Sequence, residues 1–251
     1  MNRLYTLRNI LLVAMAMLSL AAGARTFGNE TLNYEIVYHW GAVWKHAGDA
    51  TLTLRKSGSG YKATLVGKSR PWADKVYTVR DTLTTTLNAS MIPQRYEKRS
   101  HENGHFSHDV VQYSYSGSKT SATCKRYRTG KPVQTISLST SGQAYDLVSV
   151  FYMLRSLNLQ SMTKGKSYVS TIFSGKRKET LTIVYKGMEN VKMRNGKTRQ
   201  AHHVVMRFTQ DDGKRSSDDI DSWFSTDEAR LPLLVVGKLA VGEIKCYYTG
   251  A

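Results

Sequence analysis

The densest run of chemically capable side chains in this sequence is His101-Glu102-Asn103-Gly104-His105-Phe106-Ser107-His108-Asp109. Imidazole nitrogens ligate zinc, and a hairpin turning at Asn103-Gly104 could bring nitrogens from both strands together, so His101, His105 and His108 are candidate metal ligands. The alternative is a solvated hairpin tip. His202 and His203 are adjacent, and neighbouring side chains of a strand point to opposite faces, so these two do not serve one ion. Asp211, Asp212, Asp218, Asp219 and Asp221 gather around Gly213 and offer the hard oxygens that calcium takes. Their spacing matches no calcium loop, and Lys214 and Arg215 inside the cluster offset its charge, which is the pattern of a polar connection between strands. The chain has no G-x-S-x-G elbow and no phosphate-binding glycine loop, whereas a hydrolase built on a sheet needs a nucleophile, a base and an orienting group. The expectation is a non-enzymatic protein without a cofactor; a metal-assisted hydrolase around the three histidines is the weaker alternative.

Aromatic residues offer a different chemistry. Trp40 and Trp44 flank Gly41, Trp72 follows Pro71, and there are 15 tyrosines, enough to stack on sugars or line an acyl cavity. On alternate strand positions such rings are first of all core and cross-strand pairs, which assigns Tyr34, Tyr38 and Trp40 to the core. Trp44 and Trp72 sit near turns and are the better candidates for ligand contact.

The elements that would position these groups are mostly strands. Leu32, Tyr34, Ile36, Tyr38 and Trp40 alternate with Asn33, Glu35, Val37 and His39, the period of a strand with one buried face. The same alternation runs through Ala50, Leu52 and Leu54, through Val111, Tyr113 and Tyr115, through Leu181, Ile183 and Tyr185, and through Val204, Met206 and Phe208. Ser57-Gly58-Ser59-Gly60, Asn103-Gly104, Thr129-Gly130, Asn195-Gly196 and Asp212-Gly213 fall between such runs and tolerate the positive φ of hairpin turns. Residues 146–157 break the pattern. Leu147, Val150, Phe151, Leu154 and Leu157 mark one helical face behind Asp146, a good N-cap. A lone amphipathic helix has to lay its apolar face on something, and a curved sheet is the obvious partner. The predicted fold is mainly β: a curved antiparallel sheet or half-open barrel packed on one amphipathic helix, forming a single domain over residues 25–251. Closure of the sheet depends on tilt and register that no local pattern fixes.

Arg3 and Arg8 precede the apolar run 10–22, and Ala22-Gly23-Ala24 supplies a small-x-small cleavage pattern, so residues 1–24 read as a secretory signal peptide with the mature chain starting at Arg25. The run is short for a membrane crossing, which takes roughly 20 apolar residues, so no transmembrane span is expected after cleavage. No cysteine follows the run, so the product is expected free in a periplasm or outside the cell, without a lipid anchor. Cys124 and Cys246 would then lie where disulfides persist; they could form one bridge, and the sequence leaves that open. The formal net charge of +17, or +15 once Arg3 and Arg8 leave with residues 1–24, attracts polyanions, which in that compartment are lipid, lipopolysaccharide and acidic glycan. The basic residues are scattered without a recognition helix, so nucleic acid is not an expected partner.

Three segments together resemble an exported bacterial family, domain of unknown function 3108. They are Glu30-Thr31-Leu32-Asn33-Tyr34-Glu35-Ile36 with Gly48-Asp49-Ala50-Thr51-Leu52; Tyr145-Asp146-Leu147-Val148-Ser149-Val150-Phe151-Tyr152-Met153-Leu154-Arg155; and Trp223-Phe224-Ser225-Thr226-Asp227 with Arg230-Leu231-Pro232 and Val241-Gly242-Glu243-Ile244. That family often has proline after the helix-capping Asp, where this chain has Leu147. The resemblance implies a β-rich secreted fold and no particular reaction. The Trp, Asp and Pro pattern near the end is also similar to that of periplasmic lipoprotein carriers, whose half-open barrels hold acyl chains. The reading that follows is a concave sheet binding an amphiphilic or anionic envelope component through Trp44, Trp72, Tyr152 and Arg155. Arg155 would pair an anionic head group or, alternatively, an internal carboxylate at the helix end. The competing reading is an envelope structural or interaction module that meets another protein.

Overall fold

The computed structural model of the chain describes residues 26–250. The predicted signal peptide, with its cleavage point, lies outside them. Fifteen strands form one sheet. The first eight are β1 (Glu30–Trp40), β2 (Val43–Ser57), β3 (Gly60–Ser69), β4 (Val79–Leu87), β5 (Pro93–Glu102), β6 (His105–Ser116), β7 (Lys119–Arg128) and β8 (Lys131–Ser141). After the two-residue β9 (Ala144–Tyr145) come β10 (Ser167–Phe173), β11 (Lys178–Lys192), β12 (Thr198–Gln210), β13 (Ile220–Ser225), β14 (Pro232–Lys238) and β15 (Glu243–Gly250). The spatial order is β8-β7-β6-β5-β4-β3-β2-β1-β15-β14-β13-β12-β11-β10-β9. β1 therefore joins two meanders, pairing β2 on one side and β15 on the other. Only the β9–β10 pair is parallel.

The turn chemistry explains the meander. Gly58, Gly104, Gly130, Gly196 and Gly213 all have φ between +57° and +81°, and each occupies one of the turns marked in the sequence. The sheet curls until its ends approach. β8 and β10 share no ladder, but the hydroxyls of Thr140 and Thr171 lie 3.3 Å apart across the seam. The result is a nearly closed barrel.

Alternation decides what faces inward. Leu32 and Tyr34 of β1, Leu52 and Leu54 of β2, Tyr96 of β5, Val111 and Tyr113 of β6 and Cys124 of β7 form one buried cluster with Val148 and Tyr152. A second inner cluster sets Val150, Met153 and Leu154 against Ile172, Leu181, Ile183, Val204, Met206 and Phe224. Val148–Leu154 thus plug the barrel, with Leu147 packing on both clusters.

The plugging helix, α2 (Ser149–Ser156), is shorter than predicted; a four-residue helix, α1 (Pro71–Asp74), precedes it in the β3–β4 connection. Asp146 still performs the capping predicted of it, from three residues before α2. Its Oδ1 accepts the backbone N–H of Val148 and of Ser149 at 2.9 and 2.8 Å, and Ser149 Oγ accepts the Asp146 N–H at 2.8 Å. This reciprocal arrangement satisfies amides that the first turn leaves free. Of the aromatics assigned to the core, Tyr34 is buried but Trp40 is exposed, because β1 runs past the edge of the packed interior to the turn at Gly41.

Candidate functional site

The outer face of the sheet carries the concave surfaces, and one hairpin creates them. β11 and β12 pair along their length, but the register slips between Tyr185 and Gly187, and Gly187 has φ +105°, a conformation suited to glycine. Beyond this bulge the hairpin lies over the outer faces of β13, β14, β15 and β1. Val191 and Met193 are buried there with Val37, Leu234 and Tyr247. Two polar clamps hold it down. Arg194 Nε donates to Glu35 Oε1 at 2.7 Å, and the Trp223 indole N–H donates to Glu189.

Between hairpin and sheet runs an open groove of about 490 Å³, lined among others by Trp44, Glu189, Lys192, Trp223 and Lys245. Lys245 Nζ sits 4.6 Å from the centre of the Trp44 ring, a cation–π distance. The same ring meets the His39 imidazole, centroids 4.1 Å apart. His39 Nδ1 lies 2.7 Å and Lys245 Nζ 2.9 Å from Glu243 Oε1; the His39 hydrogen bond, aided by Lys245, holds the Glu243 carboxyl below the usual carboxylate range. Trp223 stacks on His203 at 4.5 Å, and His203 also faces Glu189 at 3.2 Å and Asp221 at 2.7 Å. The groove thus sets two tryptophan rings beside the ammonium groups of Lys192 and Lys245, Lys192 having no ion pair among the described residues, an arrangement suited to a flat anion.

A second outer groove of about 380 Å³ is lined by Lys186, Arg207, Arg215 and Lys238 together with Asp218, Asp219 and Asp221. Here the aspartates that resembled a calcium cluster are divided among cations: Asp219 with Arg207 and Arg215, Asp221 with His203, Asp211 with Lys178, Asp212 with Lys214. Four of the five carboxylates are engaged by separate cations, Asp218 has no ion pair among the described residues, and no three of them are placed to hold a metal.

The residues singled out in the sequence do not form one site. Trp44 lines the outer groove. Trp72 donates its indole N–H to the His46 carbonyl at 2.6 Å, with Lys45 over its ring at 4.3 Å. Tyr152 and Arg155 are inside the barrel, both buried. Arg155 is forked onto Glu30 at 2.5 and 3.0 Å and onto the Ala229 carbonyl, so it serves the internal carboxylate and not a head group.

The histidine triad is also separated. His101 pairs with Phe106 and Arg99 with His108, while His105 pairs with Glu102; period two therefore puts His105 on the face opposite His101 and His108. His101-Glu102-Asn103-Gly104-His105 has the letters of the zinc motif H-E-x-x-H, but that motif needs one helical turn between its histidines, and here a hairpin turn stands in its place. His108 is engaged by Glu97 at 2.7 Å. Among the described residues, no group of three His, Cys, Asp or Glu is placed to hold a metal. Cys124 and Cys246 are both free thiols. They sit on β7 and β15 with six strands between them in the sheet, so the bridge that the sequence left open is not formed in this structure. Trp223, Lys245 and the folded-over hairpin were not singled out from the sequence; the one signal for them is Gly187 inside a strand pattern, a mark of a bulge.

A comparison with curated proteins found no match. Among solved structures, this chain is similar to the β-barrel-like protein of domain of unknown function DUF1849 from Brucella abortus, with a TM-score of 0.63 and 12% identity over 89% of this chain and 97% of that one. At that identity the likeness is one of fold alone. The model of a family described as "Protein of unknown function (DUF3108)" matches residues 33–249, and the chain accordingly belongs to that family.

Proposed function

We propose that this protein is an exported, non-enzymatic envelope component that binds an anionic molecule with a flat or apolar portion, such as an acidic glycan or a lipid head group. The binding site is the outer groove under the β11–β12 hairpin. The leader-like residues 1–24 support export, and the charge of +17 supports an anionic ligand. The inner face is taken up by α2 and its contacts, which argues against the lumen as the site. The observation that carries the reading is the Trp44 ring with Lys245 at 4.6 Å, in a groove whose lining also includes Trp223.

The test is native mass spectrometry of the protein purified from its own cell envelope, with a Trp44→Ala, Lys245→Ala variant beside it. A bound acidic glycan or lipid is expected on the parent and lost from the variant. A bare parent, or a ligand retained equally by both, overturns the proposal. The free edge of β8 favours a second reading, an interaction module: unpaired N–H and C=O groups along an edge strand are a template for another chain. In the same spectrum that reading appears as a stoichiometric protein partner.

A further inference from the structure

In an antiparallel meander successive turns alternate between two ends, so the β10–β11, β12–β13, β14–β15, β1–β2, β3–β4, β5–β6 and β7–β8 connections share one end of this barrel; the β12–β13 connection carries Asp211, Asp212 and Asp218, and the last five of these connections form a neighbouring arc. Neighbouring tips touch. Tyr38 donates its hydroxyl to the Val241 carbonyl at 3.2 Å, the Arg70 N–H bonds the Ala47 carbonyl, and the Asn103 N–H bonds the Thr78 carbonyl. Large apolar side chains are exposed along this arc. Trp40 is 57% exposed beside the β1–β2 turn, Leu239 48% and Val241 55% in the β14–β15 turn, and Val76 77% in the β3–β4 connection, with Phe106 exposed beside the β5–β6 turn. At the opposite end, among the described residues, the large apolar side chains exposed beside a connection are Tyr115 and Tyr168, and no turn there exposes an aliphatic one.

The charges of the arc are arranged as consistently. Its acids are engaged: Asp49 by Arg70, Asp74 by Arg80, Asp109 by Arg128 and Glu243 by Lys245. Lys75 and Lys238 adjoin Val76 and Leu239 in the chain, and neither ammonium has an ion pair among the described residues. Apolar tips flanked by lysine, with a tryptophan at the margin, suit the boundary between head groups and acyl chains.

We propose that this end of the barrel docks on the surface of an anionic lipid bilayer, its hairpin tips entering the interface and its lysines meeting the head groups. A soluble acidic glycan would use the lysines but not the aliphatic tips, and it is the aliphatic tips that set this end apart. The surface is distinct from the groove around Trp44 and Lys245, and it does not depend on that reading.

The test is co-sedimentation of the protein purified from its envelope with vesicles of phosphatidylcholine alone and with vesicles about one third phosphatidylglycerol. Binding to the mixed vesicles should be at least about tenfold stronger. Val76→Ser, Leu239→Ser should weaken it by about tenfold without altering charge or thermal unfolding, because both side chains are exposed. The same variant should bind a soluble sulfated polysaccharide as the parent does, and Trp223→Ala, in the groove but away from the tips, should leave vesicle binding unchanged. Failure to bind vesicles, full vesicle binding by the serine variant, or an equal loss toward the polysaccharide would each overturn the proposal.

Discussion

Asp146 is the residue whose chemistry is most constrained. It is completely buried, accepts the Val148 and Ser149 amides on Oδ1, and accepts the Thr85 hydroxyl on Oδ2 at 2.7 Å. Burial pushes its carboxyl above the usual range, against those hydrogen bonds, which pull it down. A folded-state pKa above the unfolded one means the folded chain binds the proton more tightly. The contribution of this group to stability is therefore greatest below the ordinary carboxylate pKa and declines as pH rises through the raised one. Urea unfolding of the parent relative to Asp146→Asn should show the parent gaining as pH is lowered from neutrality toward that range; a constant difference would mean the carboxyl is not shifted upward. Asp146→Ala leaves two amides and a hydroxyl without their acceptor and should cost about 3 kcal/mol. The capping role was legible, because Asp stands directly before an apolar run of helical period. The burial was not, since it depends on β4 delivering Thr85 from 61 positions away. Arg155 illustrates the same limit: both its outcomes were visible in the sequence, but the choice rests on Glu30, 125 residues distant.

At the scale of elements, strands and turns were legible wherever one face is buried and the other wet, because alternation records that asymmetry directly. The folded-over hairpin was not, because it reverses the rule. Val37 belongs to the outward positions of β1 and yet is fully buried, since Val191 and Met193 cover it. The histidine expectation failed for a complementary reason: the hairpin was foreseen, but its register, which puts His105 across from Glu102, was not. The bend itself rests on Gly187. Apart from its chain neighbours, the described residues place only Lys164 Cδ, at 3.8 Å, within 4 Å of a Cβ built there, so space does not restrict it, but φ of +105° does. Gly187→Ala should cost about 1–3 kcal/mol through backbone strain alone. It should also speed amide hydrogen exchange at Val191 and Met193 more than at Leu181 and Ile183, which precede the bulge. Uniform acceleration along β11 would mean the bend and the rest of the strand open as one unit.

For the molecule as a whole, the decisive feature is a barrel whose last seam carries no backbone ladder. Where β8 meets β10 there is no ladder; Thr140 meets Thr171 there, and Phe173 of β10 stacks on Tyr113 of β6 at 5.8 Å, so the two meanders are held together at β1 and by the core between them. The segment through α2 supplies that second link: Tyr152 packs into the cluster of β1–β8, and Leu154 into the cluster of β10–β13. Tyr152→Ala should therefore loosen the β5–β8 side in particular, at a cost of about 3–5 kcal/mol, while Leu154→Ala, at about 2–5 kcal/mol, should act on the other side. The free thiols report on this separately. Cys124 on β7 lies buried in the Tyr152 cluster and Cys246, partly buried on β15, lies beside the joint between meanders; burial pushes both thiols up to about 11, which slows their alkylation in the folded state. Under alkylation mapped by mass spectrometry, Tyr152→Ala should expose Cys124 ahead of Cys246, by opening from the seam inward, whereas Leu154→Ala should not favour Cys124. If both substitutions release the two thiols together, the seam has no independent freedom, and the barrel unfolds as a single cooperative unit despite lacking its last ladder.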